Sequence, residues 1–180
     1  MTVGGLAPTA PGDVAACGVC RSLLGGARGR SPRGSTWTIG ARTTSGYSGT
    51  PLPKKLGIVG DVVFATVGDP PEFAVALGEI GDAVWQRSLL APLDVVVTFV
   101  TSRAQLERLW PRVTAPLTPA GASWVAWPKR TSGITTDLTE DVLREVLLPT
   151  GWVDNKVCAI DDHWSGLRFV LRQEHRRVRR

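Results

Sequence analysis

The sequence predicts an α/β fold, a small and mainly parallel twisted sheet with helices on both faces and a C-terminal antiparallel hairpin. Three observations carry this. Two β-rich apolar runs, residues 61–67 and 93–100, have the composition of strands buried on both faces. Segments with helical spacing lie between the strand candidates, the pattern of βα units around a parallel sheet. Two alternating strands joined by a short turn close the domain and must pair antiparallel.

Taken in order, residues 46–57 form an opening loop and a short helical turn. Residues 61–67 are the first strand, and residues 71–77 a short helix with Pro71 near its first position. A weaker strand follows at residues 83–86, then the strand at 93–100, the clearest in the chain. Ser102-Arg-Ala-Gln105 matches a capping box and opens a helix that puts Leu106, Leu109 and Trp110 on one face. Pro111 is expected to interrupt it, with a second helical segment over residues 112–117. Thr118-Pro-Ala-Gly121 reads as a turn and residues 123–127 as a strand that points Trp124 and Trp127 to opposite faces. Asp137-Leu-Thr-Glu140 is a second capping-box start, before a helix with Leu138, Val142 and Val146 in one row and Leu143 and Leu147 beside it. Glu140 and Arg144 are spaced to pair on its wet side. Pro149 and Gly151 end that helix, and strands at 152–160 and 167–172 complete the domain.

The limits are one domain over residues 46–172, a disordered basic extension over 1–45 and a basic tail over 173–180. Residues 1–45 are rich in Gly, Ala, Pro, Thr, Ser and Arg without helical or strand period, and bury too little to offset their ordering entropy. The formal net charge of +5 divides unevenly. Residues 1–45 carry five Arg against Asp13, and residues 173–180 carry four Arg against Glu174. The middle holds twelve basic and fourteen acidic side chains. Nucleic-acid binding is therefore expected only through the basic tails. No apolar run is long enough for a membrane span or a secretory signal, so the cytoplasm is the expected location.

Catalytic and metal signatures are thin. Cys17-Gly-Val-Cys20 has metal-ligand spacing, but Cys158, His163 and His175 are the only further candidates for a four-ligand site, and no metal is expected. Asp161-Asp162-His163 reads as a turn, where Asp collects for backbone reasons. No catalytic residue is assigned.

The C-terminal half resembles that of Rossmann-type methyltransferases. It has a buried strand beginning with an acid (Asp94), a helix, Leu117-Thr-Pro-Ala-Gly121 before a strand, then a helix and a terminal hairpin. A resemblance across nearly the whole domain is carried by Gly46-Tyr-Ser-Gly-Thr-Pro-Leu-Pro-Lys-Lys-Leu-Gly57, Phe99-Val-Thr-Ser-Arg103, Trp124-Val-Ala-Trp-Pro-Lys129, Thr136-Asp-Leu-Thr-Glu140, Val153-Asp-Asn-Lys-Val-Cys158 and Trp164-Ser-Gly-Leu167. These look like the bacterial family catalogued as domain of unknown function 3052, which implies domain limits and fold but no activity. The methyltransferase resemblance implies S-adenosylmethionine at a glycine-rich turn after the first strand. Here that turn is Gly68-Asp69-Pro70-Pro71, with one glycine and two residues lacking N–H donors, and the sequence argues against this cofactor. The twenty-odd residues before the next main strand leave no room for the usual adenosine side.

Ligands of open α/β sheets bind outside the strand C-termini, where strand order reverses. The candidate residues there are Asp69, Ser102, Trp127, Lys129, Arg130, Thr131 and Ser132, with Tyr47 and Lys54 as a second polar group. Lys129 and Arg130 suit an anion, with Thr131 and Ser132 as hydroxyl donors. The alternative is a solvated loop whose cations meet acids such as Asp137. The expected function is a non-catalytic small α/β protein that binds an anionic small molecule or a protein partner at these strand ends. The alternatives are a degenerate methyltransferase-like transferase and a homodimeric interaction module.

Overall fold

The computed structural model describes residues 49–176. A six-stranded sheet runs through it in the order β2-β1-β3-β4-β6-β5, with β1 Val63–Val67, β2 Val84–Gln86, β3 Leu93–Phe99, β4 Leu117–Pro128, β5 Trp152–Ala159 and β6 Trp164–Leu171. The first four strands are mutually parallel. β6 inserts antiparallel between β4 and β5. The helices are α1 Leu52–Leu56, α2 Phe73–Leu77, α3 Arg103–Thr114, α4 Glu140–Leu147 and α5 Gln173–Arg176. The expected class, with helices on both faces and the terminal hairpin, is the one observed.

Alternation along β3 and β4 builds two cores, one per face. Val95, Val97, Phe99, Trp124 and Ala126 meet α1 and α2 through Leu52, Leu56, Phe73 and Leu77. Val96, Val125 and Trp127 meet α3 and α4 through Leu106, Trp110, Val113, Leu143 and Leu147. Trp124 and Trp127 thus point to opposite faces, as their spacing requires. Two indole N–H groups tie helices to their neighbours. Trp124 Nε1 donates to the Leu56 carbonyl at 2.8 Å, and Trp110 Nε1 donates to Thr150 Oγ1 at 3.0 Å.

Three local expectations give way. α3 runs through Pro111 without a break. Burial of Trp110 and Val113 on either side of the proline holds the last turn in the core, and the Thr114 hydroxyl donates to the Trp110 carbonyl at 2.9 Å. Thr118 to Gly121 is the start of β4, not a turn. There Thr118 Oγ1 donates to Asp94 Oδ1 at 3.4 Å, while Asp94 Oδ2 accepts from the Val63 N–H at 3.1 Å, so the acid that begins β3 links the starts of three strands. A Cβ on Gly121 would lie 3.0 Å from the Asp94 carbonyl oxygen. Finally, α4 is capped by Thr139, whose hydroxyl accepts from the Val142 N–H at 3.3 Å. Asp137 instead accepts from the Arg103 N–H at 2.8 Å, and so fastens the loop before α4 to the first turn of α3.

The passage from β2 to β3 takes only residues 87–92 and no helix, where parallel strands ordinarily need a dozen residues or more. It is possible because β2 is three residues long and pairs only with the first half of β1, Val63 to Ala65.

Candidate functional site

Strand order reverses between β1 and β3. From β1 the chain moves outward to β2, then returns across β1 to β3 and proceeds the other way. The C-terminal ends of β1 and β3 are consequently not bridged by a direct connection, and it is outside such a reversal that open α/β sheets bind their ligands. Gly68 stands at the β1 end. Its φ is +70°, and a Cβ would stand 2.9 Å from the Phe99 carbonyl oxygen, so the turn needs glycine on both counts. The following residue, Asp69, faces Arg87 at 3.9 Å. The Arg87 guanidinium lies 3.9 Å over the centre of the Trp85 ring, whose Nε1 donates to Thr66 Oγ1 at 3.2 Å and which stacks on Phe64. An aromatic, a cation and an acid thus converge beside the β1 turn. The sequence reading found Asp69 but missed Trp85 and Arg87. The β2 run is too short to show which end it presents.

On the β3 side, the Ser102 hydroxyl caps α3, accepting from the Gln105 N–H at 3.3 Å. The Thr101 N–H donates to Gln105 Oε1 at 3.0 Å and the Thr101 carbonyl accepts from Thr136 Oγ1 at 2.7 Å. These bonds hold the chain before α4 over the end of β3.

The remaining expected residues separate. Trp127 and Arg130 line a cleft of about 270 Å³ with Pro128, Leu138, Thr139, Glu140 and Asp141. Lys129 points elsewhere: its ammonium donates to the Asp161 carbonyl at 2.6 Å and its N–H to the His163 carbonyl at 2.7 Å, joining the β4 end to the β5–β6 turn. Thr131 is exposed, and Ser132 Oγ donates to the Lys129 carbonyl at 2.7 Å while accepting from the Ile134 N–H at 3.2 Å, a staple within its own loop. Lys54 is exposed on α1, and Tyr47 lies outside the described residues. Glu140 and Asp141 face Arg144. The Arg130 cleft therefore carries acids of its own, and its two predicted cations do not converge.

Among the described residues no group of three His, Cys, Asp or Glu side chains is placed to hold a metal ion, and no helix is long and apolar enough to cross a membrane.

No family model matches the chain, and no curated protein matches it. Solved structures do. A putative type 11 methyltransferase from Sulfolobus solfataricus aligns at 10% identity over 68% of this chain and 90% of its own, with a TM-score of 0.48. A TehB-like SAM-dependent methyltransferase from Corynebacterium glutamicum aligns at 12% identity over 71% and 90%, with a TM-score of 0.44. Magnesium protoporphyrin IX methyltransferase from Synechocystis, solved with bound SAM, aligns at 8% identity over 67% and 74%, with a TM-score of 0.45. These matches correct two expectations. Where a non-catalytic binder of anions or proteins is expected from the sequence, these three similar structures are methyltransferases. Where the sequence argues against that cofactor, several solved structures similar to this chain hold SAM or SAH.

Proposed function

We propose that the chain is a pared-down methyltransferase-like transferase whose donor binds outside the ends of β1 and β3. The observation that carries this is the reversal of strand order at that point, with Gly68 closed against Phe99. S-adenosylmethionine is the donor proposed, and when bound it supplies a methyl group activated on a sulfonium. The residues present suit it. The Gly68 turn, closed against Phe99, sets the Asp69 carboxylate at the end of β1 as an acceptor for the donor's ammonium or hydroxyl groups. Trp85, stacked on Phe64 and covered by Arg87, holds that guanidinium beside Asp69. The bonds from Thr101 to Gln105 and Thr136 keep the loop before α4 in place at the end of β3. We also propose membership of the domain of unknown function 3052 family, on the motifs quoted above from Gly46 to Leu167.

Titration calorimetry with S-adenosylmethionine and S-adenosylhomocysteine tests the reading. Saturable binding is expected, and Asp69→Asn is expected to weaken it about 10-fold or more through loss of a charged hydrogen bond. Folded wild-type protein that gives no saturable heat at millimolar ligand overturns it.

A further inference from the structure

On the hairpin, away from the β1 and β3 ends, three cations bond to neutral oxygens instead of to carboxylates. On β5 and β6, Lys156 and Arg168 are register partners and point to the same face as Trp124, the register partner of Arg168 across β4. Arg176 of α5 acts electrostatically on Arg168 from the chain end. Each of these three cations is bonded to a neutral oxygen. Lys156 Nζ donates to the Lys55 carbonyl at 2.7 Å, Arg168 Nη1 to Asn155 Oδ1 at 3.3 Å, and Arg176 Nε to the Leu171 carbonyl at 2.8 Å. The salt bridges found among the described residues instead engage Arg87, Arg103 and Arg144. Burial and the Arg176 charge both hold the Arg168 guanidinium below its usual range, as expected of a cation lacking a counter-charge. The sequence continues the theme: residues 168–180 hold six arginines against Glu174 alone, which equals the formal net charge of the whole chain.

We propose that Lys156, Arg168 and Arg176 form a binding surface for the phosphodiester backbone of a nucleic acid. Guanidinium forks match phosphate oxygens. The β5–β6 part of this face carries Lys156, Arg168, Val153, Val170, Cys158 and Gly166, and its one aromatic ring, Trp164, is buried in the core and not free to stack on a base. Recognition is therefore of the backbone and independent of sequence. Dividing charge by segment hid this surface, because Lys156 and Arg168 were counted with an acidic middle and Arg176 with the tail. The proposal does not depend on methyl transfer.

The test is fluorescence anisotropy of the full chain with a labelled 20-nucleotide single-stranded RNA and a 20-base-pair DNA duplex, across a salt series. If the three cations each displace about one counterion, affinity falls about 40-fold between 50 and 200 mM salt on their account. The triple variant Lys156→Gln, Arg168→Gln, Arg176→Gln is expected to lose at least 10-fold in affinity at 50 mM salt and to flatten the slope by about 3. The exposed Lys156→Gln alone, which leaves the core untouched, must flatten it by about 1. Loss confined to a variant with Arg177, Arg179 and Arg180 replaced overturns the proposal, since the tail would then bind alone. So does tighter binding of polyglutamate or of phosphatidylserine vesicles than of either nucleic acid. RNA bound above DNA, or the reverse, identifies which backbone the surface takes.

Discussion

Two side chains in the core are polar without visible reason. Thr98 Oγ1 and Ser123 Oγ are buried with no hydrogen-bond partner, on adjacent strands and on the face beneath α3 and α4. An unmet buried hydroxyl costs about 1–3 kcal/mol, and Val has the shape of Thr. Thr98→Val is therefore expected to stabilise the fold by about 1 kcal/mol, read as a higher urea midpoint at unchanged m-value. A lower midpoint would mean that the hydroxyl has a partner, such as an internal water. The opposite sign is expected at Gly68. An alanine there would combine a positive φ with contact against the Phe99 carbonyl, so Gly68→Ala should cost more than the roughly 1 kcal/mol of a left-handed alanine alone. Cys158 offers a third check. Burial pushes its thiol up, while Lys156 and Lys55 pull it the other way, and burial is the larger effect. It should react with thiol reagents at neutral pH more slowly than free cysteine, and reaction at the free-thiol rate would place it at the surface.

At the level of elements, the sequence shows strongly what depends on close neighbours and weakly what depends on distant ones. β3 stands out because the sheet buries it on both faces; in α4 the pair beside the expected row, Leu143 and Leu147, is the one fully buried, while Val142 and Val146 are only half-buried. The start of β4 was hidden, since Pro119 and Gly121 look like turn residues until Asp94 is seen to anchor Thr118. The cap of α4 was displaced by two residues because Asp137 has a partner 34 residues away. Pro111 is the same lesson in energetic form. A proline inside a helix is less favourable than alanine by about 3 kcal/mol, part of which returns through the stiffer unfolded chain. Since packing already keeps α3 continuous, Pro111→Ala is expected to raise stability by about 1 kcal/mol or more. A melting temperature that drops would show that the proline shapes the Trp110 packing.

For the molecule as a whole, the class and the terminal hairpin were legible, and the candidate site only in part. Asp69 and Ser102 follow from the rule about strand ends, whereas Trp85 and Arg87 reach that site because β2 is three residues long, a length no local pattern announces. The same holds for Lys156 and Arg168, which register pairing alone brings side by side. We expect residues 1–45 to be dispensable for folding: a chain starting at Ser45 should keep its melting temperature within a few degrees. Loss of cooperative unfolding would refute that.

The strand that comes last in sequence is not the last in space. β6 lies between β4 and β5, so both of its neighbours wait for it. On a ribosome, the long edge of β4 emerges some forty residues before its antiparallel partner and has nothing to pair with on that side. A nascent chain paused before Trp164 would thus present an open, apolar strand edge, the kind of surface that chaperones bind and that seeds aggregation. Completion of the sheet waits for β6 to leave the ribosome.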